Sequence, residues 1–143
     1  MIRTMCDQDA PAVHEIITSS LGYSCDEDVV RANINELAGD DHYLSLVCED
    51  DETHQVVGFL HAARYDTLHK RGGWDVISLA VLPSRQGEGH GRDLLDAFEQ
   101  EVRKRGGRYI RLNSRVERVK AHRFYEHLGY DCDKQQKRFI KQL

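Results

Sequence analysis

The stretch Pro83-Ser84-Arg85-Gln86-Gly87-Glu88-Gly89-His90-Gly91-Arg92-Asp93-Leu94-Leu95-Asp96-Ala97-Phe98 decides the reading of this chain. It follows an apolar, β-rich run from Val76 to Leu82. Glycine occupies three alternate positions, Gly87, Gly89 and Gly91, and a strongly periodic amphipathic segment follows at once. Glycine adopts φ > 0 and has no side chain to block a ligand, so such a loop can turn its backbone N–H groups inward. The helix behind it adds orphan N–H groups and the positive end of its dipole. Strand, loop and helix together make an anion site, and the expected cargo is a phosphate or pyrophosphate. A glycine-rich loop is also often only a connection, and the loop alone does not separate the two readings. Two familiar phosphate-binding patterns are excluded by their missing parts. No Gly-Lys-Ser/Thr closes the loop, so it is not a P-loop. No Gly-x-Gly-x-x-Gly stands after an early strand with an acidic residue about 20 positions on, which argues against a dinucleotide fold.

Outward from this stretch, 143 residues make a single expected domain, 1–143. That length suffices to bury about two-thirds of the unfolded surface around one core. Lys and Arg number 20 against 24 Asp and Glu, for a net charge of −4. This balance gives no electrostatic case for nucleic acid or a membrane surface. The acidic runs at 26–28 and 49–52 read as solvated helix-start and hairpin residues. Cys6, Cys25, Cys48 and Cys132 are scattered, with no Cys-x-x-Cys and no paired His ligands, so reduced thiols and no metal site are expected. Cys48 sits in an apolar strand pattern and reads as a core residue. The N-terminus lacks an apolar signal core, and no stretch approaches about 18 apolar residues. The expected location is the cytoplasm.

The coarse order of elements is a strand at 2–5, a helix at 9–21, a second helix opening on Ser24-x-x-Glu27 as a capping box, strands at 43–48 and 55–63 joined as a hairpin, and a strand at 74–82. A helix at 90–105 buries Leu94, Leu95, Phe98 and Val102 and stops at Gly106-Gly107. Strand 108–113, helix 118–128 and an extended tail from Tyr130 complete an α/β (α+β) chain with a mixed sheet. The hairpin gives antiparallel neighbours, and the later βα crossover requires parallel ones.

With these elements placed, the chain resembles the GNAT superfamily of N-acetyltransferases. Gln86-Gly87-Glu88-Gly89-His90-Gly91 fits that family's Gln/Arg-x-x-Gly-x-Gly/Ala signature, behind the strand Ile77-Ser78-Leu79-Ala80-Val81 and Pro83. Ala121-His122-Arg123-Phe124-Tyr125-Glu126-His127-Leu128-Gly129-Tyr130 resembles its Ala-x-x-Phe/Leu-Tyr-x-x-x-Gly-Phe/Tyr helix. The resemblance spans essentially the whole chain. It implies the GNAT fold, a mixed sheet of 6–7 strands flanked by four helices and splayed between the fourth and fifth strands. It also implies acetyl-CoA (coenzyme A) as cosubstrate, wedged into that splay.

Residue by residue, the resemblance assigns cofactor binding to Leu79, Ala80 and Val81 and to Gln86, Gly87, Glu88, Gly89, His90 and Gly91. The backbone of Leu79 and Val81 would hold the pantetheine arm as if it were an added strand. Asn113 is expected to reach the pantetheine amide or to cap a local turn. Relatives often carry Asn where this chain has Arg118, which would reach a cofactor phosphate or be solvated. Tyr125 matches the residue that protonates the departing thiolate; a phenol of pKa about 10 does so at little free-energy cost. Asp75 stands where relatives carry an acidic base, and strand alternation puts it on one face with Ile77, Leu79 and Val81. His61 and Asp66 are the runners-up.

The implied activity is acetyl transfer from acetyl-CoA to a primary amine, by direct attack in a ternary complex. The acceptor is expected to be a small molecule, since the C-terminal pattern Arg138-Phe139-Ile140-Lys141 with the tyrosine helix resembles the aminoalkylphosphonate and aminoglycoside branches. The alternatives are a peptide or protein N-acetyltransferase and a non-catalytic acyl-CoA sensor module. A homodimer is compatible with the sequence.

Overall fold

Period-2 alternation in the strands and the 3.6-residue period of the long helix sort the apolar side chains onto two faces of one sheet. The computed structural model describes residues 1–143. Five strands, β1 (Ile2–Thr4), β2 (Tyr43–Glu49), β3 (Val56–Tyr65), β4 (Gly73–Val81) and β5 (Tyr109–Leu112), lie in that order across the sheet. β1 to β4 are antiparallel neighbours, and β5 runs parallel to β4. A parallel neighbour needs a crossover, here α3 (His90–Lys104). α1 (Ala10–Ile16), prolonged by the π-helical turn Ile17–Leu21, and α2 (Glu27–Leu37) fill the connection from β1 to β2. The chain divides into two compact segments: Met1–Asn113, which holds the whole sheet, and Ser114–Leu143, which holds α4 (Val119–His127).

Side chains directly opposite one another in a ladder share a face. Val47, Phe59 and Ala80 are such a row across β2, β3 and β4, and they pack with Ala10, Val13 and Ile16 of α1 and Val30 of α2. The other face carries Leu46, Leu60 and Trp74 and receives α3. That helix spaces Leu94, Leu95, Phe98 and Val102 along one stripe, and all four are buried. Phe98 meets Trp74 edge-on with ring centroids 6.1 Å apart. A side chain at Gly58 would start 3.3 Å from Leu94 Cδ1 and 3.1 Å from Ala80 O, so the close seat of α3 on the sheet depends on a glycine there. At the far end Gly107 is fixed by packing too, because a Cβ would stand 2.3 Å from Val102 Cγ1.

The fold matches the expected splayed, mixed sheet with four helices, with differences that have physical causes. The strand count is five, not six or seven. The tail beyond Tyr130 carries no strand; its run of Asp131, Asp133, Lys134, Gln135 and Gln136 is exposed and offers no apolar face to fix a register. α2 starts at Glu27 with Asp26 as its N-cap, so the Ser24 capping box does not form. The acidic run after β2 is not simply solvated: Glu49 pairs with Arg3 at 2.9 Å, and Asp50 pairs with Arg85.

The alternation of β4 is broken as well. His61 opposes Ser78 while Ala62 opposes Val76, so Ile77 is an extra residue bulged out of the ladder. It is 51% exposed on an otherwise well-covered strand. The bulge shifts the phase by one. Asp75, opposite Ala63, therefore shares its face with His61, Ser78 and Ala80, and not with Leu79 and Val81 as simple alternation predicted.

Because Phe98 is fully buried between α3 and Trp74, Phe98→Ala is expected to cost about 3–5 kcal/mol, transfer and cavity together. Urea unfolding measures it. A loss below about 1 kcal/mol would mean that α3 is not seated through this ring.

Candidate active site

β4 leaves half of its length without a partner on one side. The β4–β5 ladder runs from Gly73↔Tyr109 to Val76↔Leu112 and ends there, while β4 continues to Val81. The direction of the unpaired groups follows from the opposite edge. Leu82 N–H donates to Val57 O at 2.8 Å, so Leu82 and, by alternation, Ala80 turn their backbone toward β3. Leu79 and Val81 turn theirs to the open side. An extended amide-bearing ligand laid along this edge would find a donor at each of the two residues and a ready acceptor at Leu79. Ala80 turns to Phe59 and buries its methyl in the core.

The open edge leads into the glycine loop. Pro83–Arg85 form a 3-10 turn, and Gln86 Nε2 donates to Val81 O at 3.2 Å. Gly87 and Gly89 take φ of 83° and 92°, the left-handed region that glycine reaches without strain. Nothing lies within 4 Å of a Cβ placed at either. Gly89 caps α3, with Asp93 N–H closing the first turn onto Gly89 O at 3.0 Å. The N–H groups of His90, Gly91 and Arg92 occupy the positions that have no intrahelical acceptor, at the positive end of a 15-residue helix. This is the geometry of an anion cradle.

A chain of polar contacts, not apparent in the sequence, holds the cradle. Arg85 reaches Asp50 with one nitrogen and Glu88 Oε2 with another at 2.7 Å. Glu88 Oε2 also lies 2.9 Å from His90 Nε2, and His90 Nδ1 lies 3.4 Å from Cys48 Sγ. The Arg85 guanidinium holds the Asp50 carboxyl well below the usual carboxylate range, and Arg85 with His90 lowers Glu88. Burial raises the Cys48 thiol, so it stays protonated and can donate to the imidazole. Arg85 is thus neutralised twice, and the positive potential over the loop comes from backbone N–H groups.

On the α1/α2 face, two residues before the bulged Ile77, Asp75 Oδ1 accepts Arg111 Nη1 at 3.0 Å. Arg111 Nη2 donates to Asn113 Oδ1 at 3.3 Å, and the guanidinium lies 4.4 Å over the Tyr65 ring. Burial raises the Asp75 carboxyl above its ordinary value despite the opposing pull of Arg111. His61, two ladder rungs away on the same face, stacks on Tyr43 at 5.6 Å and bonds Ser45 Oγ through Nδ1 at 2.7 Å. Burial lowers its pKa, which favours the neutral imidazole. Asp75 and His61 are brought to one face. Asp66 is not: its Oδ1 accepts Gly72 N–H at 2.8 Å and stiffens the β3–β4 loop. Arg111 was missed in the sequence, because a parallel ladder joined through a helix gives no local clue to which residues stand opposite.

In the C-terminal segment, Arg118 is the exposed N-cap of α4. Tyr125 packs between Phe124 and Tyr130, at 5.2 and 6.0 Å between ring centroids. Burial raises the Tyr125 phenol, with Arg118 acting the other way, so the hydroxyl remains protonated at neutral pH. A protonated, partly buried phenol is a proton donor in waiting.

Comparison with known proteins agrees with this geometry. The family model described as "Acetyltransferase (GNAT) family" matches residues 10–130. An aminoalkylphosphonate N-acetyltransferase of Salmonella typhimurium is 30% identical over 135 residues, covering 90% of this chain and 83% of that protein. The structure of AAC(6')-Iy in complex with a CoA-S-monomethyl-acetylneamine bisubstrate analog superposes with a TM-score of 0.84 at 20% identity, over 100% of this chain and 98% of that one. A transcriptional regulator from Bacillus halodurans superposes at 0.83 with 21% identity, over 99% of each chain. At these identities the structural matches speak for the fold alone. With the family model matched over residues 10–130 and a relative 30% identical over 90% of this chain, the protein belongs to the GNAT family and is an acetyltransferase.

Proposed function

We propose that this acetyltransferase moves the acetyl group of acetyl-CoA to the primary amine of a small zwitterion, in one step within a ternary complex. The observation that carries the cosubstrate is the continuity of the open Leu79–Val81 edge with the N–H cradle at 86–91. Pantetheine amides would pair with the edge and the pyrophosphate would rest on the cradle. Asn113, Arg118, Gln86, Glu88 and His90 complete the proposed cofactor contacts. Glu88 and His90 act by holding the loop, since both side chains are engaged with each other.

The amine nitrogen attacks the thioester carbonyl, the C–S bond breaks, and the Tyr125 hydroxyl supplies the thiolate with its proton. The amine's surplus proton goes to Asp75, directly or through water. The acceptor class follows from charge. Asp75 has one oxygen on Arg111 and leaves the other for an ammonium, while Arg111 and Lys70, the latter 3.9 Å over the Tyr109 ring, bring cations to the same region. An amine that also bears an acidic group matches this pairing. A polycation would meet two cations beside the one free oxygen of Asp75. The Salmonella relative's named substrate class, the aminoalkylphosphonates, has this character. Turnover of acetyl-CoA over aminoalkylphosphonates, aminoglycosides and peptides tests the reading. Preference for the phosphonates is expected, and preference for aminoglycosides or peptides would overturn the acceptor class.

Gly89→Asp should weaken acetyl-CoA binding at least tenfold, because it strains a φ of 92° and sets a carboxylate against the pyrophosphate. Calorimetry on the folded variant checks it, and unchanged affinity would remove the cradle from the site.

Tyr125→Phe spares the ring packing and deletes the hydroxyl. Cofactor affinity should hold while kcat falls about 10²–10⁴-fold, the usual contribution of a general acid. Near-parental kcat would assign thiolate protonation to water or another residue.

Asp75 acts as base only when ionised, and burial raises its pKa. The acid limb of the parent rate profile should therefore fall above the ordinary carboxylate value of 3.8. Asp75→Asn should abolish that limb, lower the rate at neutral pH and recover part of it as rising pH frees the amine. A profile that superimposes on the parent's would eliminate Asp75. His61, whose neutral form burial favours, is then the next residue to replace.

A further inference from the structure

A cleft of about 440 Å³ opens where the β3–β4 loop meets the α3–β5 junction, lined by Arg64, Asp66, Arg71, Gly72, Gly106 and Arg108. It is separate from the glycine cradle and lies on the other side of the sheet from Asp75. Arg64 opposes Trp74 in the ladder and so lies on the α3 face, opposite to Asp75 and His61. It also sits at the N-terminal ends of β4 and β5, whereas the glycine loop follows the C-terminal end of β4. Eight residue steps of about 3.3 Å put roughly 26 Å between those ends.

The charge of the cleft is unusual for this chain. Acidic residues outnumber basic ones, 24 to 20, and within Met1–Asn113 every arginine outside the cleft finds one, as Arg3 does with Asp9 and Glu49, Arg85 with Asp50 and Glu88, and Arg111 with Asp75. Arg64, Arg71 and Arg108 have no carboxylate partner. The single acid in the lining, Asp66, spends Oδ1 on Gly72 N–H, so three guanidinium groups face one carboxylate.

The walls are also held in place. Arg64 Nε donates to Asp41 O at 3.2 Å, and its guanidinium lies 5.3 Å from the Trp74 ring centre. Arg108 N–H donates to Gly72 O at 2.7 Å, and its stem packs 3.1 Å from where a Gly72 side chain would begin. Within the loop, Thr67 N–H and Oγ1 donate to Lys70 O at 2.8 and 3.0 Å. Ordering two of the three arginines in advance removes part of the entropy that binding would otherwise cost.

We propose that this cleft is a second anion site, taking a small multivalent anion of the phosphate or pyrophosphate class on Arg64, Arg71 and Arg108. Guanidinium forks match phosphate oxygens two at a time, and a net charge of two calls for more than a monoanion. The volume suits a small ligand.

Inorganic pyrophosphate, titrated by calorimetry at constant ionic strength, tests the proposal. Both the cleft and the glycine loop should take it, so the parent should show two events. Arg71→Gln with Arg108→Gln, which keeps the aliphatic stems, should lose one event or weaken it at least tenfold and keep the other. Gly89→Asp should do the converse, which separates failure of this site from failure of the cofactor loop. If the paired substitution does not fold, Arg71→Gln alone, at an exposed position, should still weaken the cleft event severalfold. An isotherm unchanged by the arginine substitutions, or one abolished entirely by Gly89→Asp, would overturn the cleft site.

Discussion

The constraint on which the rest of the molecule turns is the parting of β4 from β5 after the rung Val76↔Leu112. Up to that rung both strands saturate each other's backbone. Beyond it, Leu79 and Val81 keep N–H and C=O groups that no strand satisfies. Leaving such groups buried and unpaired costs about 1–3 kcal/mol each, so a native fold keeps them open to water or to a ligand that resembles a strand. The splay therefore leaves an edge on which the proposed cofactor's amides could pair before any side chain is considered. The glycine loop follows at the end of that edge, with free N–H groups at the start of α3. Gln86 links the two by returning its side chain to Val81 O.

The charged groups around the loop serve the same preorganisation. Arg85 would be the obvious cation for a pyrophosphate, yet it is committed to Asp50 and Glu88. Its role is to tie the loop to the turn after β2. Glu88 passes the constraint to His90, and His90 to the buried thiol of Cys48. A loop rich in glycine would otherwise lose much conformational entropy on binding. Side-chain contacts that fix it in the free protein move that cost into folding, where the whole core shares it.

How much of this was legible in the sequence depended on whether the cause was local. α3 was legible to within a residue, because Leu94, Leu95, Phe98 and Val102 mark one helical stripe and Gly106 ends it. The loop and its glycines were legible for the same reason, as were the hairpin of β2 with β3 and the parallel placement of β5. The face of Asp75 was not, since a bulge at Ile77 leaves no mark in composition; an isoleucine reads as strand whether or not it sits in the ladder. The partners of Arg85 and Arg111 were hidden because they come from remote segments. The tail read as extended, and the likeness implied further strands, but the polar run 131–136 has no apolar alternation to fix a register. Leu79, Val81, Asp75 and His61 were named as candidates from pattern or likeness, whereas the Asp50-to-Cys48 chain of contacts needed coordinates.

The bulge at Ile77 gives β4 two reading frames. Before it, the odd-numbered Asp75 looks toward α1 and α2; after it, the even-numbered Ser78 and Ala80 do. One strand thereby presents a carboxylate to one side of the sheet without turning the alternation of its second half, where Leu79 and Val81 must keep their backbones toward the splay. The frame that bears the acid and the frame that borders the splay are uncoupled by a single residue. Each can vary in sequence without dragging the other's side chains to the wrong face. The strand gains that independence at the cost of one exposed isoleucine.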